Sequence, residues 1–189
     1  MKKLSRNKFF IFALAFPIIL LLSMLVKPLT ATYLGESIKL QTIPYDPRDL
    51  FYGDYVDLNF EIEEVPLDII YEPLLKKLDI HGDSSKPYQD VKVFIELKED
   101  KATGIFKAWR VVETKPKSGV YIKGVMSPYV DWTADKGYKK VNINIPIERY
   151  YLEENTGKQL EKESSQGRLI ATVKVYKGYP ILQSVEVNK

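Results

Sequence analysis

The sequence predicts a mainly β fold, α+β at its margin: an antiparallel β-sandwich or partly open barrel with one or two short helices, preceded by one N-terminal transmembrane helix. Three observations carry this. Residues 9–26 form an uncharged apolar run near the start of a 189-residue chain. After it, seven or eight short segments show the period-two alternation of half-buried strands. Helical patterning is confined to two short stretches. Many strands with few helices bury their apolar faces by packing sheet on sheet or by curling a sheet toward closure.

The apolar run reads FFIFALAFPIILLLSMLV. At 1.5 Å per residue it spans roughly 27 Å, close to the hydrocarbon thickness of a bilayer. Pro17 lies inside it, and proline in a membrane helix kinks rather than breaks it. Lys2, Lys3, Arg6 and Lys8 precede the run, and the first acidic residue is Glu36. This bias leaves residues 1–8 as a cytoplasmic tail and sends the remainder across the membrane. The competing reading is a cleaved signal peptide. Its best small-x-small site is Thr30-Ala31-Thr32, a poor one preceded by Lys27 and Pro28, which would start the mature chain near Tyr33. The expectation is an uncleaved anchor that meets the lipid of the cytoplasmic membrane through residues 9–26.

Residues 27–37 read as a linker, and residues 38–189 as an extracytoplasmic β-rich domain. Residues 38–43 form the first strand. Val56, Leu58, Phe60 and Ile62 alternate with Asp57, Asn59 and Glu61, the clearest half-buried strand in the chain. Residues 66–78 (PLDIIYEPLLKKL) predict a helix begun by Pro66 and split at Pro73. Residues 91–97 and 105–112 flank a turn-rich stretch and predict a hairpin. Strands follow at 120–126 and 138–145, then a short polar helix within 155–165. Residues 169–176 and 181–187 close the chain as a hairpin around Lys177 and Gly178.

The formal charge of +3 reports topology rather than a ligand. Without the four basic residues ahead of the anchor, the 28 basic residues fall to 24 against 25 acidic ones. A nucleic-acid partner would need basic charge on the folded domain, so none is expected. The absence of cysteine excludes disulfides, thiolate metal sites, a cysteine nucleophile and a lipoprotein attachment site. No cofactor is expected, and the domain is long enough to stand on its core alone.

One loop stands out, immediately before the clearest strand: Pro44-Tyr45-Asp46-Pro47-Arg48-Asp49-Leu50-Phe51-Tyr52-Gly53-Asp54-Tyr55. Asp46 can cap the turn that Pro47 starts, and Pro47 has no N–H to lose there. Arg48 can pair with Asp46, Asp49 or Asp54. Gly53 supplies a backbone position open to few other residues, and Asp54 can close the turn. The run Gly53-Asp54-Tyr55-Val56-Asp57-Leu58-Asn59-Phe60 resembles the signature of the GDYXXLXY family of bacterial membrane-anchored proteins. Asp46-Pro47-Arg48-Asp49-Leu50 is similar to that family as well, and Glu148-Arg149-Tyr150-Tyr151 extends the likeness weakly. Phe60 stands where the signature has tyrosine, which keeps the ring and loses the hydroxyl. Tyr52 is a second departure, where a basic residue is expected. The resemblance implies an anchored extracytoplasmic domain with no biochemical role attached.

The same loop invites sharper chemical readings. Gly-Asp-x-Val entering a strand after an anchor is similar to the start of signal-peptidase-like serine/lysine enzymes. Positions 41–55 hold no serine and Ser37 is too far upstream, so a degenerate, binding-only relative fits better than an active one. Asp46, Asp49 and Asp54 could hold a hard cation through oxygen, but Arg48 among them makes a stabilising ion pair simpler. His81 is the only histidine and reads as a surface turn residue. Trp109 is expected in the core and Trp132 in an exposed loop, while residues 158–163 read as a solvated face. The functional expectation is a non-enzymatic binding module acting with another envelope or integral membrane protein. Its motif residues are Asp46, Pro47, Arg48, Asp49, Gly53, Asp54, Tyr55, Leu58 and Phe60, and the alternative is a hydrolase built around residues 46–54. The loop begins about 18 residues beyond the anchor, a reach expected to keep it near the membrane surface.

Overall fold

The computed structural model describes residues 6–43, 55–76, 90–131, 140–147, 149–151 and 169–188. It begins with α1 (Arg6–Leu34), a 29-residue helix. Of this, Phe10–Leu34 is long and apolar enough to cross a membrane, and its most apolar window is nowhere covered by the rest of the chain. Pro17 and Pro28 both lie within the helix. The hydroxyls of Ser23 and Thr30 donate back to Leu20 O (2.7 Å) and Val26 O (2.8 Å), occupying backbone acceptors inside the segment.

Residues 27–34 continue the helix, and β1 (Glu36–Ile43) starts after Gly35 alone, so the expected linker is helix and strand instead. Gly35 makes the junction possible. Its N–H donates to Ala31 O at 3.0 Å, and any Cβ there would fall 2.2 Å from that same oxygen.

Beyond the junction lie two main antiparallel sheets and a two-stranded ribbon. The first sheet has the order β11-β10-β1-β3, with β3 Asn59–Phe60, β10 Leu169–Tyr176 and β11 Tyr179–Val187. The second runs β4-β8-β7-β5-β6, with β4 Glu64–Pro66, β5 Val91–Asp100, β6 Ile105–Val112, β7 Tyr121–Asp131 and β8 Lys140–Asn144. The ribbon pairs β2 (Tyr55–Asp57) with β9 (Arg149–Tyr151). The mainly β, antiparallel fold is therefore as the sequence predicts.

Inward-facing residues from both sheets form one core. Ile38 and Leu40 of β1, Val93 and Ile95 of β5, Ile122 and Met126 of β7, Val141 and Ile143 of β8, and Leu169, Ala171 and Val173 of β10 all belong to it. The two sheets are also joined along their edges. Where β8 no longer covers β7, the Lys123 N–H donates to Gly178 O at 3.0 Å, so the tip of the β10–β11 hairpin continues the second sheet. Lys177 and Gly178 take φ of 49° and 80°, as the central pair of a type I′ turn requires. Glycine is needed twice over at 178, because a Cβ would come 2.6 Å from the Tyr121 ring.

Three expectations change in detail. The strand read across 56–62 is two short strands and a 3-10 turn (Glu61–Glu63); Leu58, Phe60 and Ile62 still alternate inward, but β2 pairs with β9 and β3 with β1. The helix read across 66–78 is, over its described part, the end of β4, a 3-10 turn (Leu67–Ile69) and α2 (Glu72–Leu75). Pro66 is tolerated because β4 is an edge strand, and Pro73 sits in the first turn of α2 and opens it. Trp109 is 58% exposed rather than core. The β5–β6 register shifts between Glu96 and Leu97, whose partners are Arg110 and Ala108, leaving Trp109 as the bulged residue that resets the strand's phase. The expected helix within 155–165 and Trp132 lie outside the described residues.

Candidate functional site

The signature segment divides in two. Asp46, Pro47, Arg48, Asp49, Gly53 and Asp54 lie outside the described residues, between Ile43 at the end of β1 and Tyr55 at the start of β2. The described half is structural. The Tyr55 backbone pairs with Tyr151, Leu58 is 1% exposed and Phe60 is completely buried. A ring closed inside the core needs no hydroxyl, which accounts for phenylalanine at position 60.

Polar side chains hold this half in place. The Glu63 carboxylate reaches back to the Phe60 N–H at 2.8 Å and accepts the Ile145 N–H at 3.3 Å, joining β3 to the end of β8. Thr42 is the only buried polar or charged residue among those described. Its hydroxyl donates to Leu169 O (3.0 Å) and accepts the Leu169 N–H (3.2 Å) where β1 turns from β10 to β3. β1 thus ends at a fixed point just before the signature segment. Eight residues of β1, about 26 Å of extended chain, separate that point from the junction with the helix.

Among the described residues, a concave polar surface lies beside β5 and β6. An open cleft of about 590 Å³ is lined by Tyr71, Glu96, Arg110, Val112 and residues 114–118. Tyr71 is placed by its N–H donating to Val111 O at 2.9 Å, and its ring is 54% exposed. Arg110 Nη2 donates to both oxygens of Glu96, at 2.9 and 3.1 Å, across the β5–β6 pair. Lys115 and Lys117 extend the wall, so three cations face one carboxylate. Next to the pair in sequence, the bulged Trp109 lies beneath Lys98, whose Nζ is 4.5 Å from the ring centroid. The arrangement suits recognition of an acidic group with an apolar neighbour: cations line the cleft together with Tyr71, and Trp109 lies next to Arg110 in the strand.

The hairpin tip next to it is set by Asp100. Its carboxylate accepts the Ala102 N–H at 3.0 Å and lies 3.6 Å from Lys107 Nζ. The backbone hydrogen bond from Ala102 is the largest effect and holds the Asp100 carboxyl below its ordinary value; desolvation opposes it, and the Lys107 charge adds a smaller lowering. Among the described residues, no group of three His, Asp or Glu side chains converges to hold a metal ion.

Sequence reasoning passed over this cleft. Two signals pointed to it: the alternation of β6 fails at Ala108-Trp109-Arg110, and the strand runs into Thr114-Lys115-Pro116-Lys117-Ser118-Gly119, a basic turn.

The model of one family, described as GDYXXLXY protein, matches residues 17–185. Comparison with curated proteins and with solved structures gives no match.

Proposed function

We propose that this chain, which belongs to the GDYXXLXY family, is a single-pass membrane protein whose β domain works outside the cytoplasm as an interaction module for another envelope or integral membrane protein. The four basic residues ahead of the apolar run support the orientation. Ala31 supports an uncleaved anchor: it is fully buried against the domain, so cleavage near Tyr33 would remove a residue that the fold covers.

The cleft beside β6 carries the functional reading. Tyr71 lines the cleft with the Arg110–Glu96 pair, and Trp109 adjoins Arg110 on β6; both aromatic residues are more than half exposed. Exposed, immobilised aromatics next to arginine are the residue types that dominate protein interfaces. The net positive lining selects a partner surface bearing a carboxylate or another anion. The signature loop at 44–54 is proposed as a second contact, with Arg48 its most specific residue.

A photo-crosslinking amino acid at position 117, in cells, tests this. The expected result is one discrete crosslinked band in the membrane fraction that Trp109→Ala and Arg110→Ala abolish and Arg48→Ala weakens. If no adduct forms, or if it persists unchanged in all three variants, the cleft is not a docking face.

A further inference from the structure

The tip of the β10–β11 hairpin lies against the end of the anchor. The last turn of α1 packs on β10 and β11, and Ala31 in that turn is completely covered. Gly35 lies so close to β10 that a Cβ would be 3.2 Å from Val175 N. Glu36, the first residue of β1, is paired with Val175, two residues before Lys177 of the turn. The tip is therefore held beside the helix with no spacer.

Depth follows from the helix. The uncharged run ends at Val26 and Lys27 is the first charge after it. Residues 27–34 remain helical beyond the hydrocarbon, rising about 12 Å at 1.5 Å per residue. The polar layer on one side of a bilayer is roughly 5–8 Å thick, so elements packed on this segment lie at or just above headgroup level.

The residues at this end match that position. Lys177 projects from the turn and is exposed, with Nζ 5.2 Å from the Tyr176 ring centroid. Lys174 precedes the tip, Lys123 lies beside it through the bond to Gly178 O, and Lys27 is on the helix. Against these four cations stands Glu36. Tyr33 is 77% exposed on the helix, and Tyr176 and Tyr179 flank the turn. Tyrosines with lysines at the level where a helix leaves the bilayer form the usual interfacial belt. Clustered lysines there attract anionic lipid.

We infer that the β10–β11 tip, with Lys123, Lys174, Lys177, Tyr176 and Tyr179, is a seat for anionic lipid headgroups that fixes the domain's orientation on the membrane. This rests on the reading of α1 as a membrane span. The seat belongs to the folded domain and is separate from the hydrophobic anchor itself.

The full chain lacks cysteine, so single labels are unambiguous. Leu22→Cys, Lys177→Cys, Lys123→Cys and Glu186→Cys would each carry a small fluorophore, in vesicles of phosphatidylcholine with or without phosphatidylglycerol. Nitroxide lipids spin-labelled at the headgroup or in the acyl chain report depth. The Leu22 label should be quenched from the acyl chain, the Lys177 and Lys123 labels from the headgroup, and the Glu186 label, at the far end of β11, by neither. With Lys174→Gln and Lys177→Gln present, headgroup quenching of the Lys123 label should fall roughly twofold or more in the anionic vesicles alone. Labels at 123 and 177 that stay unquenched while Leu22 is deep would overturn the seat and leave the anchor standing. A Leu22 label that is itself in water would overturn both.

Discussion

Replacing Glu63 by alanine removes the acceptor of two backbone N–H groups, Phe60 at 2.8 Å and Ile145 at 3.3 Å. Those donors belong to different sheets, so the substitution cuts a tie between the signature segment and the end of β8. A hydrogen bond to a charged group contributes about 1.5–3 kcal/mol, and Glu63 is only half-buried, so the lower end applies to each. The expected loss is about 3 kcal/mol. For a domain of this size each kcal/mol lowers Tm by roughly 2–4 °C, which gives a drop of roughly 6–12 °C. Glu63→Gln keeps one carbonyl oxygen and should lose about half as much. Thermal unfolding followed by circular dichroism, on full-length protein in one detergent, reads both. If Glu63→Ala melts within about 1 °C of wild type, the carboxylate does not join the sheets and this account of the signature's packing is wrong.

Three further outcomes are expected. Because the folded Asp100 carboxyl is held below its ordinary value of 3.8, it stabilises the β5–β6 turn at pH above that value, and the benefit disappears as pH falls through its folded pKa. Asp100→Asn should therefore melt below wild type at neutral pH and converge with it in acid, with a carbon-detected NMR titration placing the Asp100 midpoint under the usual range. At the other hairpin, Lys177→Asn should raise stability by up to about 1 kcal/mol, since asparagine accepts positive φ more readily, while Gly178→Ala should cost about 1–3 kcal/mol through both its φ of 80° and the Tyr121 contact; denaturant melts would show the two opposite signs. Trp109→Ala should change stability by about 1 kcal/mol or less, because the ring is mostly exposed, yet abolish the crosslink at position 117; a large loss of stability would make Trp109 a structural residue instead.

What the sequence revealed depended on how local the cause was. The β5–β6 and β10–β11 hairpins were legible because alternation and turn chemistry are written in adjacent residues: Asp100 with Gly104, Lys177 with Gly178. The stretch at 56–62 keeps a continuous alternation, and nothing within it shows that its partner changes from β9 to β1. That choice is tertiary. Pro66 and Pro73 suit helix starts and sheet edges alike, and only the position of β4 at the edge decides between them. Trp109 faces outward because of a bulge, which the sequence shows only as a broken period. Residues 27–37 read as a linker after the uncharged run ends, whereas the helix runs on to Leu34 through Pro28, and Thr30 returns its hydroxyl to it. The cleft was missed because its walls come from segments distant in the chain: Tyr71, Glu96, and residues 110–118.

The central claim is that α1 remains attached and runs through Gly35 directly into the folded domain. Intact-mass measurement of the protein extracted from cell membranes tests it most directly. The account requires the full chain of 21.8 kDa, or that chain short only of its initiating methionine. A mature product beginning near Tyr33 would contradict it, removing the anchor together with the buried Ala31 contact on which the rigid junction depends.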